Sequence, residues 1–169
     1  MHNYAVVESG IKMALTAVLE IDLGNGLIVF EPYSALNLKN VAKSLAKERL
    51  KPEWVEAFCS IVGEWSGFSS IRNAIAHNRW TDGKREGAVK PHTLNIREGK
   101  VKWIGVTDNE AEFTAVELEA KAHALNLVNE RLKLFLHVSG LAAIIDAKIS
   151  VATAAISSVS GNEGRQSSK

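Results

Sequence analysis

Trp54, Phe58, Ile61, Trp65, Phe68, Arg72 and Ile75 follow one another in steps of four and three. That spacing lays one continuous stripe along an amphipathic helix, and the stripe must lie against a core or a partner. Arg72 stands in the stripe where an apolar residue is expected. A guanidinium on an apolar seam needs an anion, a hydrogen-bonding partner or a wet cavity. Asn73 and His77 are four residues apart and share the neighbouring face. Arg72 and His77 are five apart, about 140° around a helix, and both can line one groove if a second helix packs between them.

The chain has 169 residues, enough for one domain with its own core. Its formal net charge is +1, so no global basic field announces a high-affinity duplex-DNA binder. A single cysteine, Cys59, excludes an intrachain disulfide and any cysteine-cluster metal site; on the inner side of the long helix it reads as a buried thiol. His92, His123 and His137 have no acidic pair at ligand spacing, so no metal and no cofactor is expected. Glu8, Lys12 and Glu20 interrupt the apolar positions near the N-terminus, which argues against a secretory signal and for a cytoplasmic protein.

In chain order, residues 3–21 read as a first helix, stopped by the polar stretch 22–25. Leu27-Ile28-Val29-Phe30 is a short apolar run that periodicity leaves open between a strand and a connector. Ser34 caps a second helix over 35–50 that turns Leu36, Val41 and Leu45 inward. Pro52 opens the third helix, which runs through Arg72 to about residue 78. Gly63 and Gly67 inside it predict the close approach of another helix. The alternation Thr93 to Arg97, the turn pair Glu98-Gly99 and the run from Lys100 predict a β-hairpin, an insertion over about 88–107. The acidic stretch 108–112 complements the dipole of a fourth helix, which opens on a Thr114/Glu117 capping box. Val116, Ala120, His123, Leu127 and Leu134 share one side of it; Leu125, Val128, Leu132, Phe135 and Leu136 widen the apolar arc. Ser139-Gly140 either ends that helix or interrupts it, so 141–159 is a fifth helix or a continuation. Asp146 and Lys148 make it a poor membrane span. Residues 161–169 form a polar tail, leaving one domain over 1–160. The expectation is a mainly all-α fold, a four- to five-helix bundle with a β-hairpin inserted between the third and fourth helices.

Arg72-Asn73-Ala74-Ile75-Ala76-His77 resembles the Arg-x(4–6)-His motif of the HEPN superfamily, with the polar residue that often follows the arginine. The position of the motif at the end of the third helix fits as well, and the resemblance covers about Tyr4 to His137. It implies a bundle that dimerises through its motif-bearing helices. In active members two arginine–histidine pairs face each other across the dimer and cleave RNA without a metal. By position Arg72 and His77 are the motif arginine and histidine, and Asn73 is the adjacent polar residue. Other relatives bind a partner protein or a nucleotide without catalysis; an antitoxin or nucleotidyltransferase partner goes with the toxin-like nuclease.

The chemistry agrees with that resemblance. Cleavage by the strand's own 2′-hydroxyl needs a base for that hydroxyl, an acid for the leaving 5′-oxygen and a cation for the phosphorane. A histidine with an ordinary pKa near ~6.5 serves as base or acid, and an arginine fork matches phosphate oxygens. Arg79, Lys84 and Arg85, with Lys90, are the candidate phosphate-guiding rim beside the motif. Trp80 and Trp103 stack bases or fill the core. The competing reading is structural: Arg72 pairs with a carboxylate such as Glu64, Asn73 and His77 tie down the helix end, and Trp80 plugs the core.

Overall fold

A computed structural model describes the backbone of residues 2–77, 79–97, 100–105 and 112–163, and side chains over 2–76, 79–92 and 112–154. The helices are α1 (His2–Val18), α2 (Leu23–Phe30), α3 (Ala35–Arg49), α4 (Pro52–Gly67), α5 (Ser69–His77), α6 (Ala115–Val138) and α7 (Leu141–Glu163). Between α5 and α6 lie β1 (Arg79–Asp82), β2 (Ala88–Arg97), β3 (Lys100–Gly105) and β4 (Phe113–Thr114). The fold is mainly helical with a small antiparallel sheet inserted before α6.

The core is organised on α1. Val7, Ile11, Ala14 and Leu15 are fully enclosed, and α2, α3, α4, α6 and α7 all pack on this helix. Burial of several such side chains, at about 1.5–3 kcal/mol each, is what holds the bundle together. α1 ends at Val18, not at residue 21, because Glu20 takes a left-handed φ of +57° while its N–H closes on the Ala17 carbonyl. Asp22 then starts a new helix. Its carboxylate accepts from the Asn25 N–H, and the apolar run 27–30 becomes the end of α2, neither strand nor connector. α2 lies so close to α1 that a Cβ at Gly26 would run into the Thr16 side chain.

Ser34 caps α3 as expected, its hydroxyl accepting from the Asn37 N–H. The inward residues are Leu38, Ala42 and Ala46, with Val41 and Leu45 partly covered; Leu36 faces out. The expected third helix is two helices that break at Phe68. The Ser66 hydroxyl donates to the Gly63 carbonyl, Gly67 adds no side chain, and the Phe68 N–H tightens onto the Trp65 carbonyl. Of the two glycines only Gly63 meets another helix, through the end of Lys43 on α3; nothing lies near Gly67. Phe58 and Trp65 are enclosed within the chain's own core, Trp54 and Phe68 are partly so, and Cys59 is half-buried, not buried.

The sheet holds more than one hairpin. β1 pairs antiparallel with β2, Arg79 opposite His92 and Asp82 opposite Val89. β2 continues into the expected pairing with β3, from His92 opposite Gly105 to Arg97 opposite Lys100. The turn expected at Glu98-Gly99 lies outside the described residues. β4 pairs with the start of β2. The sheet meets the helices where β2 touches α5 and β4 touches α6.

The capping box at Thr114 and Glu117 is present in both directions. α6 buries Leu125, Val128, Leu132 and Phe135, while Val116, Leu127, Leu134 and Val138 face solvent. Gly140, at φ +80°, ends the Ser139-Gly140 corner, so α7 is a separate helix, bent 86° from α6. It continues through Glu163, into the stretch expected to be tail. Among the described residues no single helix is long and apolar enough to cross a membrane.

Candidate functional site

α5 carries Arg72 and Asn73 and closes on His77. The α5 backbone is tied to the break, the Arg72 N–H donating to the Phe68 carbonyl at 2.9 Å. The Arg72 side chain is half-buried and donates through Nη1 to Asn73 Oδ1 at 3.0 Å. Its guanidinium carbon stands 5.8 Å from the centre of the Tyr4 ring, within cation–π range. Among the described residues no carboxylate pairs with it. Glu64 is taken by Arg131, whose Nη1 lies 2.6 Å from Oε2, and that contact holds the Glu64 carboxyl below the usual carboxylate range. The seam cation is therefore satisfied by an amide oxygen and a ring face, and its charge is not neutralised by a described side chain.

Tyr4 forms the floor beneath Arg72. It is buried and stacks on Trp65 with ring centres 5.2 Å apart. Burial and then the Glu8 carboxylate push its hydroxyl up to about 12, against a lowering by Arg72. On the same helix Lys12 is buried and bridges Glu8 at 3.0 Å and Glu31 at 2.9 Å. Burial alone would depress its ammonium, but the hydrogen bonds to Glu31 and Glu8 outweigh it and hold the pKa above the ordinary lysine value.

Arg72 opens on a pocket of about 120 Å³ between α1, α5 and α6, walled by Tyr4, Phe68, Ile71, Ile75, Leu118 and Leu125. Lys121 joins Arg72 in its lining. Phe68 and Lys121 also line two broader cavities, of about 750 Å³ toward Arg85 and about 460 Å³ toward Glu64. The result is a groove along the α5–α6 seam. Lys121 is exposed, and its ammonium lies 5.8 Å from the Phe113 ring. The sequence pattern gave Lys121 no role; only the packing of α6 beside α5 brings it to Arg72.

The remaining candidates separate. His77 closes α5, but its side chain lies outside the described residues. Arg79 is exposed at the start of β1, opposite His92, and Lys84 is exposed in the β1–β2 turn. Arg85 is committed to structure: its guanidinium donates to Glu117 at 2.8 and 2.9 Å. That contact, with the Thr114 N–H, lowers the Glu117 carboxyl to about 2. Glu112 is buried, and it accepts from the backbone N–H groups of Lys84 and Arg85 at 3.0 and 3.1 Å. It clamps the β1–β2 turn, a role the acidic-stretch reading missed; residues 108–111 lie outside the described residues. Trp80 sits on β1, 6.3 Å from Phe113, instead of plugging the helical core. Trp103 is on β3, with a side chain outside the described residues. Among the described residues no three His, Cys, Asp or Glu side chains gather as a metal site.

Compared with protein-family models, curated proteins and solved structures, the chain finds no match.

Proposed function

We propose that this chain is a HEPN-like endoribonuclease that works as a homodimer and needs no metal. One observation carries the reading: Arg72 lies on the motif helix, without a carboxylate partner among the described residues, and lines an open groove. A structural arginine on an apolar seam would be stabilised by a buried carboxylate, and the obvious one, Glu64, belongs to Arg131. Arg72 binds the scissile phosphate and stabilises the phosphorane charge. Asn73 holds the guanidinium in place. His77 of each protomer exchanges protons: one takes the proton of the 2′-hydroxyl as its oxygen attacks phosphorus, the other gives a proton to the departing 5′-oxygen. The P–O5′ bond breaks, leaving a 2′,3′-cyclic phosphate and a 5′-hydroxyl. Arg79 and Lys84 extend the cationic rim; Arg85 positions the turn that carries Lys84.

The apolar pocket beside Arg72 favours a second reading, a non-catalytic module that holds a nucleotide or a partner protein. Incubation with mixed RNA in EDTA separates the two. The wild type cleaves, while Arg72→Ala and His77→Ala do not. Intact RNA with the wild-type protein overturns the nuclease reading.

A further inference from the structure

Resting on the ribonuclease reading, we infer that the pocket between α5 and α6 seats one unstacked base of a single RNA strand, with Arg72 and Lys121 holding the adjoining phosphate. The walls are apolar: Phe68, Ile71, Ile75, Leu118 and Leu125. An apolar cavity of about 150 Å³ takes a benzene ring, so the 120 Å³ here is the size of one planar ring. Both cations in the lining lack a carboxylate partner among the described residues; Arg72 meets Asn73 and Tyr4, and Lys121 meets Phe113. A ring-sized apolar cleft with two uncompensated cations is complementary to a ring joined to an anion. Duplex RNA stacks its bases out of reach, whereas a single strand splays them into side-chain pockets. The groove continues on both sides past Phe68 and Lys121, which gives the strand room to run on.

Ala122 offers a clean test, because it lines the pocket yet lies on the exposed side of α6. Ala122→Phe fills the cleft without entering the core; Leu118→Phe is the substitute if its circular dichroism departs from wild type. The probes are a fluorescein-labelled 2′-O-methyl oligouridine and the same backbone without bases, read by anisotropy, with cleavage of ordinary oligouridine measured alongside. The wild type binds the base-bearing strand at least about tenfold tighter than the abasic one. Ala122→Phe brings that strand down to the abasic level and leaves the abasic affinity unchanged. Lys121→Ala weakens both strands alike, as a phosphate contact does. Equal wild-type affinities, or no effect of the filled pocket, overturn the proposal. So does a filled-pocket variant that loses self-association instead of RNA affinity, since the occupant is then a side chain of a second copy. Base-dependent binding without cleavage removes the nuclease reading and leaves the pocket; cleavage with no base dependence removes the pocket alone.

Discussion

Arg131 donates through one nitrogen, Nη1, to both carboxylate oxygens of Glu64 at 2.6 Å, joining α6 to α4. Both side chains are nearly half-exposed, so the pair contributes little stability, about 0.5 kcal/mol. Its importance is electrostatic, because Glu64 lines the same groove as Phe68 and Lys121. Arg131→Ala leaves that carboxylate uncompensated, and RNA affinity falls while the unfolding midpoint barely moves. The Glu64 pKa is lowered in the fold, so the pair's contribution is present above the unfolded value of about 4.3 and fades as pH drops through the folded one. Parallel urea titrations at pH 7 and pH 3 read that contribution as a smaller loss of stability in the variant than in the wild type, the other depressed carboxylates, Glu112 and Glu117, being common to both.

Arg72→Ala separates a catalytic cation from a structural ion pair. With no described carboxylate to strand, the substitution costs within about 1 kcal/mol, the worth of one cation–π contact. A loss of 3–5 kcal/mol is the signature of a broken buried pair and refutes this view. Tyr4 reports the same change, since Arg72 lowers its pKa. In Arg72→Ala the tyrosinate absorbance attributable to Tyr4 appears at still higher pH than the wild-type value of about 12.

Tyr4 and Lys12 make the fold sensitive to alkali. Both have folded pKa values above their unfolded ones. Their contributions are therefore complete below the unfolded values, near about 10, and are lost as pH rises through the folded ones. Stability measured from pH 9 to pH 12 falls steeply in the wild type and less so in Tyr4→Phe. Lys12→Ala leaves the part-buried Glu8 unpaired and costs about 2 kcal/mol at pH 7, between the values for surface and buried pairs. Guanidinium melts of the two variants, at pH 7 and across the alkaline range, check both expectations.

Trp65 is fully enclosed, and among the described residues its Nε1–H has no acceptor. A buried N–H without a partner costs free energy, which Trp65→Phe removes while keeping a ring against Tyr4. The expected cost of Trp65→Phe is about 1 kcal/mol, against about 3–5 for Trp65→Ala, which leaves a cavity. Near-equal losses for the two refute the argument.

The elements legible in the sequence are those with a local chemical signature. Ser34 and the Thr114/Glu117 box mark helix starts by satisfying orphan N–H groups, and both are present in the fold. The β2–β3 hairpin follows from alternation. Where the signature was apolar all round, periodicity had no way to choose. The broad apolar arc read on α6 divides in two, and the side headed by Val116 is the outer one: Val116 is 73% exposed. The enclosed arc of Leu125, Val128 and Leu132 is selected by its fit against α1, where a Cβ at Gly10 would press on Leu132. Arg72 was legible because it interrupts an apolar stripe, and Asn73 because it follows Arg72 in the motif. Lys121 was not, since nothing local distinguishes it from an ordinary solvated lysine.

The remaining prediction places the dimer. A shared site requires the interface on the α5 side, but Phe58 and Trp65 of the aromatic stripe are enclosed in the monomer core and are not free to form it. What α5 offers is Ile75, exposed one turn from Arg72. α6 offers Leu127, Leu134 and Val138 on the face opposite its buried residues. Ile75→Glu and the double variant Leu127→Glu/Leu134→Glu both alter exposed positions, so each changes monomer stability by only about 0.5 kcal/mol. Ile75 also walls the pocket beside Arg72, so self-association is the deciding readout: if two protomers build the site together, Ile75→Glu gives a monomer by light scattering, while the α6 variant remains an active dimer. If the α6 variant is the monomer and still cleaves RNA, each chain acts alone and the paired-histidine mechanism is wrong.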